Sequence, residues 1–371
     1  MTPLRIGVDA RELLGASTGV GRYVGELLLR WTARPDRDRR RFLLYSPEAL
    51  PIALPATAVE PRVLPPRSGP GRGTWWEQVH LRRAVAADRP DVFFAPAYTA
   101  PRLGEIPLAL TIHDVSFAAH PEWFRVREGI RRRWLTRRSA DAASVILTDS
   151  EFSRAEIQAH LGVERSRIHV VSPGLTTRHA TPAPGAATPD REPLVLYVGS
   201  IFNRRRVPDL IAAFARAASA VPGARLAIVG EDRSWPRLSL PEIAASHGVE
   251  SRVELKSYVT DDELAALYGR ASVFAFLSEY EGFGLTPLEA LAAGVPAVVL
   301  DTPIAREVYG GAAHYVAAGD IAATADLLTR LLRDPRAADA VMAHAPAVLA
   351  RYSWDRAAGR TLDLIEAAAR R

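Results

Sequence analysis

The chain has 371 residues, of which 48% are hydrophobic and 24% charged, and none is cysteine. This length exceeds what one hydrophobic core usually supports, so we expect two domains of ordinary globular composition. The absence of cysteine excludes disulfides, thiol nucleophiles and thiolate metal ligands, and no apolar run approaches the roughly 18 residues that span a bilayer.

The formal charge of +5 is unevenly distributed, with about +7 on residues 1–190 and about −2 on residues 191–371. A basic amino-terminal half favours an anionic partner there. No nucleic-acid recognition motif accompanies the charge, so we expect no nucleic-acid partner. The chain enters a strand at residues 5–9 without a signal-peptide pattern, which favours a cytoplasmic protein.

The amino-terminal half alternates short apolar strands with helical segments. The predicted strands lie at residues 6–10, 42–45, 92–95, 108–112 and 145–148. This alternation predicts βαβ units around a parallel sheet, whose ligands bind at the carboxyl ends of the strands.

Two strand ends in this half carry candidate site residues. The first strand leads into Gly19, Val20 and Gly21. A Gly-x-Gly turn usually marks only a tight bend, but after the first strand it is also a candidate phosphate or sugar contact. The fourth strand ends at His113, which we interpret either as a structural hydrogen-bonded residue or as a polar contact to substrate.

An arginine-rich segment runs from Arg125 to Arg138. Within it Val126, Ile130 and Trp134 recur every four residues, which predicts one apolar face of a helix with arginines around the rest. This pattern is typical of an ordinary helix with a charged outer face. Peripheral contact with a membrane surface or binding of an anionic acceptor is the alternative.

The carboxyl-terminal half repeats the alternation, with predicted strands at residues 194–198, 225–229, 252–255, 273–277 and 297–300. A proline-rich polar stretch separates the two sets of strands and predicts a linker. We therefore expect an amino-terminal domain at 1–177, a linker at 178–192, a carboxyl-terminal domain at 193–352 and a final helical segment at 353–371.

The first strand of this second set is followed by Gly199 and by the consecutive arginines Arg204, Arg205 and Arg206, just before a helix. Positive side chains are unusual there, because the dipole of the helix already favours negative charge at its amino terminus. An anion held between guanidinium groups would explain them. A solvated basic turn in an arginine-rich protein is the alternative.

Residues 278–300 place Glu281 and Glu289 eight positions apart around the turn Gly282, Phe283 and Gly284. A glycine turn between a strand and a helix that begins at Thr286 is a natural anion site, because backbone N–H groups are unpaired there. Two carboxylates would then flank the group that the phosphate carries. Alternatively, Glu289 completes a capping box and Glu281 is a solvated loop residue.

Together these segments resemble retaining GT-B glycosyltransferases of family 4, including their bacterial mannosyltransferase-like members. The most specific match is EGFGLTPLEALAAGVPAV, which contains the Glu-x7-Glu element of that family. IGVDARELLGASTGVGRY, TIHDVSFAAHPEWF and YSWDRAAGRTL extend the resemblance over nearly the whole chain.

The resemblance implies two Rossmann-like domains, a cleft between them and a nucleotide-diphosphate sugar as donor, with no other cofactor. It implies that Glu289 holds the ribose hydroxyls and that Glu281 contacts the transferred sugar. The remaining implied donor contacts are the catalytic residues Arg204, Arg205 and His113, and the binding residues Gly19, Val20, Gly199, Gly282, Phe283, Gly284 and Leu285. The family usually has lysine where Arg205 stands, and a planar fork differs from a point charge.

By the same resemblance we expect metal-independent transfer with retention at the anomeric carbon, and a final helix that crosses back onto the amino-terminal domain. GDP-mannose is the first expected donor and a UDP-sugar the next, with a glycan, lipid-linked or small-molecule acceptor. The alternatives are a nucleotide-sugar epimerase or hydrolase on the same fold, or a non-catalytic sugar-nucleotide-binding subunit. A nicotinamide-dependent enzyme is disfavoured, because the glycines near residue 19 lack the full dinucleotide fingerprint.

Overall fold

The computed structural model describes residues 2–14, 19–65, 72–176 and 191–370. The chain divides into two compact units. Unit 1 comprises Met1–Pro121, Val126–Gly174 and Tyr352–Arg371, and unit 2 comprises Glu122–Arg125 and Leu175–Arg351. Most of the expected linker, residues 178–190, lies outside the described residues.

Unit 1 is built around a parallel sheet. Its strands are β1 Leu4–Asp9, β2 Arg40–Ser46, β3 Val59–Val63, β4 Val92–Ala95, β5 Leu108–Thr111, β6 Val145–Thr148 and β7 Ile168–Val170. They lie in the order β3-β2-β1-β4-β5-β6-β7. The central strands β4, β5 and β6 are short apolar runs buried along their whole length, as expected when helices cover both faces of a sheet.

The helices of unit 1 are α1 Gly19–Ala33, α2 Arg72–Trp75, α3 Arg82–Asp88, α4 Ser116–Ala119, α5 Val126–Ala142, α6 Glu151–Leu161 and the final helix α15 Trp354–Ala369. A π-helical segment, Trp76–Leu81, joins α2 to α3. No helix among the residues described here is both long enough and apolar enough to cross a bilayer.

Helices α1 and α15 pack together in the core of unit 1. The indole of Trp31 stacks on Phe42 with ring centroids 5.5 Å apart, and its Nε1 donates a 2.8 Å hydrogen bond to the carbonyl of Ala358. Trp354 at the start of α15 is buried in the same cluster. The last segment of the chain therefore supplies part of the hydrophobic core around the first sheet.

Unit 2 contains a second parallel sheet, with the strands β8 Glu192–Val198, β9 Arg225–Val229, β10 Val253–Lys256, β11 Ala271–Phe276, β12 Ala297–Leu300 and β13 Ala313–Val316. Their order is β10-β9-β8-β11-β12-β13. The helices are α7 Val207–Ala220, α8 Leu240–Ser246, α9 Asp261–Arg270, α10 Leu285–Ala292, α11 Pro303–Tyr309, α12 Ile321–Arg333, α13 Asp339–Met342 and α14 Ala345–Leu349.

Both sheets reverse their strand order beside their first strand. In unit 1, β1 lies between β2 and β4, and in unit 2, β8 lies between β9 and β11. Ligands of such sheets bind beyond the carboxyl ends of the strands at this switch point. The α/β class with two Rossmann-like parallel sheets, predicted from the alternation of strands and helices, is confirmed.

Three strands were missed by the sequence patterns, namely β3, β7 and β13. All three are edge strands. Only the first residue of β3 is fully buried, and β7 has three residues. Edge strands need no continuous apolar run, because one of their long sides faces no neighbouring strand, so hydrophobic patterning identifies them poorly.

Candidate active site

Two loops meet where the neighbouring strands β8 and β11 end. The strands are paired in parallel, with Leu196 opposite Phe274. After β8 a short 3-10 turn spans Asn203–Arg205, and after β11 the chain passes through residues 277–284 into α10. We call residues 203–206 the arginine turn and residues 278–284 the glutamate loop.

Backbone and side-chain contacts join the arginine turn to the glutamate loop. The amide of Glu279 donates a 2.9 Å hydrogen bond to the carbonyl of Arg204, and Nε of Arg204 donates a 3.2 Å bond to the carbonyl of Tyr280. Arg206 forms ion pairs with Glu279 and with Asp209 of α7. The turn and the loop therefore form one connected structure at the switch point.

Arg205 and Glu281 form an ion pair in which the guanidinium group contacts both carboxylate oxygens. Nε lies 2.8 Å from Oε1 and Nη2 lies 3.2 Å from Oε2. Ser278 adds a 2.8 Å hydrogen bond to Oε1. Burial disfavours the charged form of Arg205, but the carboxylate beside it outweighs burial, so the pKa of Arg205 is raised. The interpretation of Glu281 as a solvated loop residue is therefore wrong.

Arg204 is placed differently from its two neighbours. Its guanidinium carbon lies 4.3 Å from the centre of the Phe202 ring, and its side chain is half-buried. Within the described part of the chain, Arg204 is the arginine of this turn without a carboxylate partner. Arg205 and Arg206 form ion pairs, so the interpretation of a solvated basic turn is wrong for these two residues. Arg204 retains a positive charge that an anion could neutralise.

Helix α10 begins directly after the glutamate loop and no side chain caps its amino terminus. Its N-cap position is Gly284, and its first residue is Leu285. By contrast, Ser150 caps α6 and Thr260 caps α9. The predicted capping box at Glu289 is wrong, because that residue lies in the helix beyond the capping positions. The first-turn N–H groups of α10 can therefore bind an external anion.

Glu289 is the second carboxylate of the motif, and only 6% of its surface is exposed. The hydroxyl of Tyr268, on α9, donates to its Oε2 over 3.4 Å. A carboxylate this far from water requires hydrogen-bond donors to compensate for its lost hydration. Tyr268 supplies one donor of this kind.

The backbone of the glutamate loop depends on glycine. Gly284 has φ +91°, in the left-handed region that glycine tolerates. A Cβ atom at this residue would lie 2.2 Å from the hydroxyl oxygen of Tyr309. Phe283 is buried and holds the loop in place, whereas Gly284 and Leu285 are partly exposed.

Gly199 supports the arginine turn by leaving room for a guanidinium group. A Cβ atom at Gly199 would lie 2.6 Å from Nη1 of Arg205, and the same nitrogen donates a 2.8 Å hydrogen bond to the carbonyl of Ser200. Gly199 thus contacts the arginine turn.

A small cavity lies beside the glutamate loop, between the ends of β11 and β12. Ser278, Glu281, Phe283 and Tyr309 line one part of it, and Thr302 contributes to the rest. Sequence patterns did not identify Ser278, Tyr309 or Tyr268 as site residues. Each lies in a segment whose local pattern is that of an ordinary loop or helix, so only the tertiary structure shows its role.

His113 lies at the end of β5 in unit 1 and is 9% exposed. Its Nδ1 lies 2.8 Å from Oδ2 of Asp149, and its Nε2 lies 2.9 Å from the carbonyl of Pro96. Both partners are acceptors, so the doubly protonated ring satisfies both. Burial works to lower the pKa of His113, but Asp149 outweighs it and the pKa is raised. The structural interpretation of this residue thus has direct support, and its contact with a sugar stays a prediction.

Gly19 and Val20 form the first residues of helix α1, and Gly21 is buried inside that helix. The Gly-x-Gly segment is therefore part of a helix and does not form the predicted tight bend. Thr18, which precedes it, lies outside the described residues. The roles of Gly19 and Val20 as donor contacts stay predictions.

Comparisons with known proteins agree with this arrangement. The family described as "Glycosyl transferases group 1" matches residues 184–346, and "Glycosyltransferase Family 4" matches residues 17–179. The chain is 30% identical over 301 residues to a glycogen synthase of Mycobacterium tuberculosis, covering 76% of this chain and 70% of that protein.

Two mannosyltransferases are also similar. The O-antigen chain mannosyltransferase B of Escherichia coli is 26% identical over 298 residues, with 77% of each chain covered. The GDP-mannose:cellobiosyl-diphosphopolyprenol alpha-mannosyltransferase of Xanthomonas oryzae pv. oryzae is 28% identical over 272 residues, covering 72% of this chain and 69% of that protein.

Among solved structures, WaaG, a glycosyltransferase involved in lipopolysaccharide biosynthesis, superposes with a TM-score of 0.77 at 18% identity, covering 98% of this chain and 99% of that one. This likeness shows a shared fold. With the two family matches and the relative at 30% identity, it leads to one conclusion. The chain belongs to the glycosyl transferases group 1 family and is a glycosyltransferase with the GT-B fold.

Proposed function

We propose that this protein is a retaining glycosyltransferase that moves a sugar from a nucleotide-diphosphate sugar to a hydroxyl group of an acceptor. The observation that carries the proposal is the junction of the arginine turn with the glutamate loop at the switch point of the unit 2 sheet. This junction combines a guanidinium group, an uncapped helix amino terminus and two shielded carboxylates. A nucleotide-diphosphate sugar offers one chemical group to each of them.

The diphosphate would bind to Arg204 and to the amino terminus of α10. Arg204 carries the charge that has no carboxylate partner among the described residues, and the N–H groups at Gly284 and Leu285 supply backbone donors. Glu289, which is buried on α10, would accept hydrogen bonds from the ribose hydroxyls. Glu281 would contact the transferred sugar.

Mannose from GDP-mannose is the transferred group that we favour, with a UDP-sugar as the alternative donor. The support is the similarity to two mannosyltransferases, one of which is named for GDP-mannose. Neither protein exceeds 28% identity to this chain.

Transfer would proceed on one face of the sugar. The bond between the anomeric carbon and the phosphate oxygen breaks, the acceptor oxygen forms the new bond, and the acceptor proton moves to the departing phosphate. Glu281 is poorly suited to act as a covalent nucleophile, because Arg205 and Ser278 occupy its oxygens. Stabilisation of the leaving group by Arg204 and by backbone donors would lower the barrier without a metal ion.

The acceptor would be a glycan or a lipid-linked saccharide presented at a membrane surface, and helix α5 supports this choice. Val126, Ile130 and Trp134 are 76%, 65% and 59% exposed. The buried residues of α5 belong to another face, which includes Leu135 and Ala140. The predicted apolar face therefore exists, but it points away from the core of unit 1, contrary to the interpretation of an ordinary helix with a charged outer face.

Neighbouring residues extend this apolar stripe. Trp75, at the end of α2, is 59% exposed, and Arg131 of α5 donates a 2.8 Å hydrogen bond to the adjacent Thr74. We call Trp75, Val126, Ile130 and Trp134, with the arginines that surround them on α5, the α5 surface. Exposed aromatic and aliphatic side chains among arginines fit the boundary of an anionic bilayer.

The proposed function is tested by nucleotide binding followed by transfer. A thermal-shift screen with GDP, UDP and ADP should show stabilisation by one nucleotide, of about 2.7 kcal/mol at a concentration one hundred times Kd. Absence of stabilisation by any of them would overturn the proposal. Donor consumption without an acceptor would indicate an epimerase or hydrolase instead, and binding without any transfer would indicate a non-catalytic subunit.

A further inference from the structure

The resemblance assigns Arg205 to the diphosphate, but its side chain is directed elsewhere in this structure. Two of its nitrogens contact Glu281, and the third donates to the carbonyl of Ser200. Only 14% of the side chain is exposed. Its positive charge is already neutralised by a carboxylate, and its donors are directed at protein acceptors.

The geometry of this pair requires arginine. A guanidinium group presents parallel N–H groups that match the two oxygens of a carboxylate, whereas an ammonium group is a point charge that cannot span them in the same way. Lysine, which the family usually has at this position, would lose the two-point contact with Glu281. It would keep the positive charge that a phosphate requires.

Glu281 is held from two strand ends at once. Arg205 approaches it from the end of β8, and Ser278 approaches it from the end of β11 with a 2.8 Å hydrogen bond. Both donors reach Oε1, and Arg205 also reaches Oε2. These contacts fix the plane of the carboxylate, which is the usual requirement for a group that must be placed accurately during reaction.

From these contacts we infer that Arg205 is a positioning residue that orients Glu281 toward the transferred sugar, while the charge of the diphosphate is neutralised by Arg204. This role rests on the proposed function, because it requires Glu281 to meet the sugar. This role accounts for arginine at residue 205, because the two-point contact with Glu281 requires a guanidinium group. Ser278 orients Glu281 in the same way.

The test separates binding of the nucleoside diphosphate from the rate of transfer. GDP and UDP affinities are measured by calorimetry, and kcat and KM for transfer are measured with the donor that stabilises the protein. The variants are Arg205→Lys, Arg205→Gln, Ser278→Ala and Arg204→Gln. Arg233→Gln is the control, because Arg233 is an exposed arginine that forms an ion pair with Glu231. Thermal unfolding of each variant shows whether it is folded.

Arg205→Lys should lower kcat by about 10- to 100-fold, because misplacement of a reacting group has effects of this size. It should leave the affinity for the nucleoside diphosphate within about threefold, whereas Arg204→Gln should weaken that affinity about tenfold or more. Ser278→Ala should lower kcat by about threefold or more with unchanged affinity, since it removes one neutral hydrogen bond to Glu281.

The opposite pattern would overturn this role. If Arg205 is a phosphate ligand, Arg205→Lys keeps kcat near that of the unchanged protein, and Arg205→Gln weakens nucleotide binding as much as Arg204→Gln does. Unchanged kcat in both Arg205→Lys and Ser278→Ala would likewise show that these residues do not position Glu281 for transfer. If the unchanged protein neither binds a nucleoside diphosphate nor transfers a sugar, the proposed function itself fails, and that outcome is visible before any variant is compared.

Discussion

The hydroxyl of Tyr309 donates a 2.9 Å hydrogen bond to the carbonyl of Gly284, across 25 residues of sequence. Gly284 ends the glutamate loop and is the N-cap of α10, while Tyr309 is the last residue of α11. The bond therefore ties the amino terminus of one helix to the carboxyl terminus of the next, and it fixes the backbone that we expect to receive a phosphate.

Replacing Gly284 with alanine should damage the site in two ways. The left-handed backbone would cost about 1–2 kcal/mol, and the added methyl group would lie 2.2 Å from the Tyr309 hydroxyl. We expect transfer to fall by about tenfold or more, because small displacements of binding groups have large effects. Steady-state kinetics and urea unfolding measure the two consequences.

Tyr309→Phe is the matched control for that substitution. It removes the hydrogen bond without strain, at a cost of about 0.5–1.5 kcal/mol, and it should reduce transfer less than Gly284→Ala does. In the double variant the steric conflict disappears but the backbone strain remains. Full activity in Gly284→Ala would show that the loop backbone takes no part in donor binding.

Arg204→Ala should slow transfer by orders of magnitude. Its guanidinium group is the charge that we assign to the departing diphosphate, and removal of one preorganised donor from a developing negative charge typically costs about 100-fold or more. Pre-steady-state kinetics with saturating donor would distinguish loss of chemistry from loss of binding. Arg233→Gln is again the control. Near-normal turnover in Arg204→Ala would remove this residue from the mechanism.

A feature of the site could be predicted from the sequence when its residues lie close together along the chain. Glu281 and Glu289 lie within one loop-helix segment, so their spacing already pointed to a site. Arg205 and Glu281 lie 76 positions apart along the chain, so no local sequence pattern predicts that they form an ion pair. The ion pair is identified only in the folded structure, where β8 and β11 are neighbouring strands and the loops that follow them meet.

The orientation of the apolar face of helix α5 is a second feature that the sequence pattern does not determine. The spacing of Val126, Ile130 and Trp134 shows that they share one face of a helix. Periodicity alone does not say whether that face is turned to the core or to solvent. The answer comes from packing, in which Leu135 and Ala140 face inward instead.

The stability of unit 1 should depend on pH through His113. Its folded pKa is raised above the ordinary value near 6.5, so its contribution is fully present below that pH and is lost as pH rises through the folded pKa. Asp149 and Asp114 favour the charged ring, burial opposes it, and Glu12 also lies within electrostatic range.

Asp149→Asn provides the comparison for this pH dependence. Urea unfolding at about pH 6 and about pH 9 should show that the variant loses more stability at the lower pH, where the ion pair with His113 is intact in the unchanged protein. We expect a loss of about 1–3 kcal/mol there. Equal losses at both pH values would mean that the ring is neutral in the folded protein.

Transfer should not require a divalent metal ion. In the proposed mechanism Arg204 and the N–H groups of α10 supply the positive charge that a metal would otherwise bring to the diphosphate. Activity after treatment with EDTA and dialysis should equal that of the untreated protein within error. A loss of activity that Mg²⁺ or Mn²⁺ restores would contradict this prediction.

The α5 surface should bind anionic membranes. Flotation with vesicles of phosphatidylglycerol mixed with phosphatidylcholine should recover the protein at low salt, and vesicles of phosphatidylcholine alone should recover much less, because the arginines of α5 require lipid charge. Ile130→Ser with Trp134→Ser removes apolar area at two positions that are already exposed, so folding should be unaffected.

The serine pair should lower vesicle binding by about tenfold or more, which corresponds to the lost burial of two large apolar side chains in the interface. The control is Leu29→Ser, at an exposed apolar residue on helix α1. Transfer to a short water-soluble acceptor should be unchanged in the serine pair, because the substituted residues are outside the donor site, whereas transfer to a lipid-linked acceptor in vesicles should fall. Equal vesicle binding by the serine pair and the unchanged protein would show that α5 does not contact the membrane.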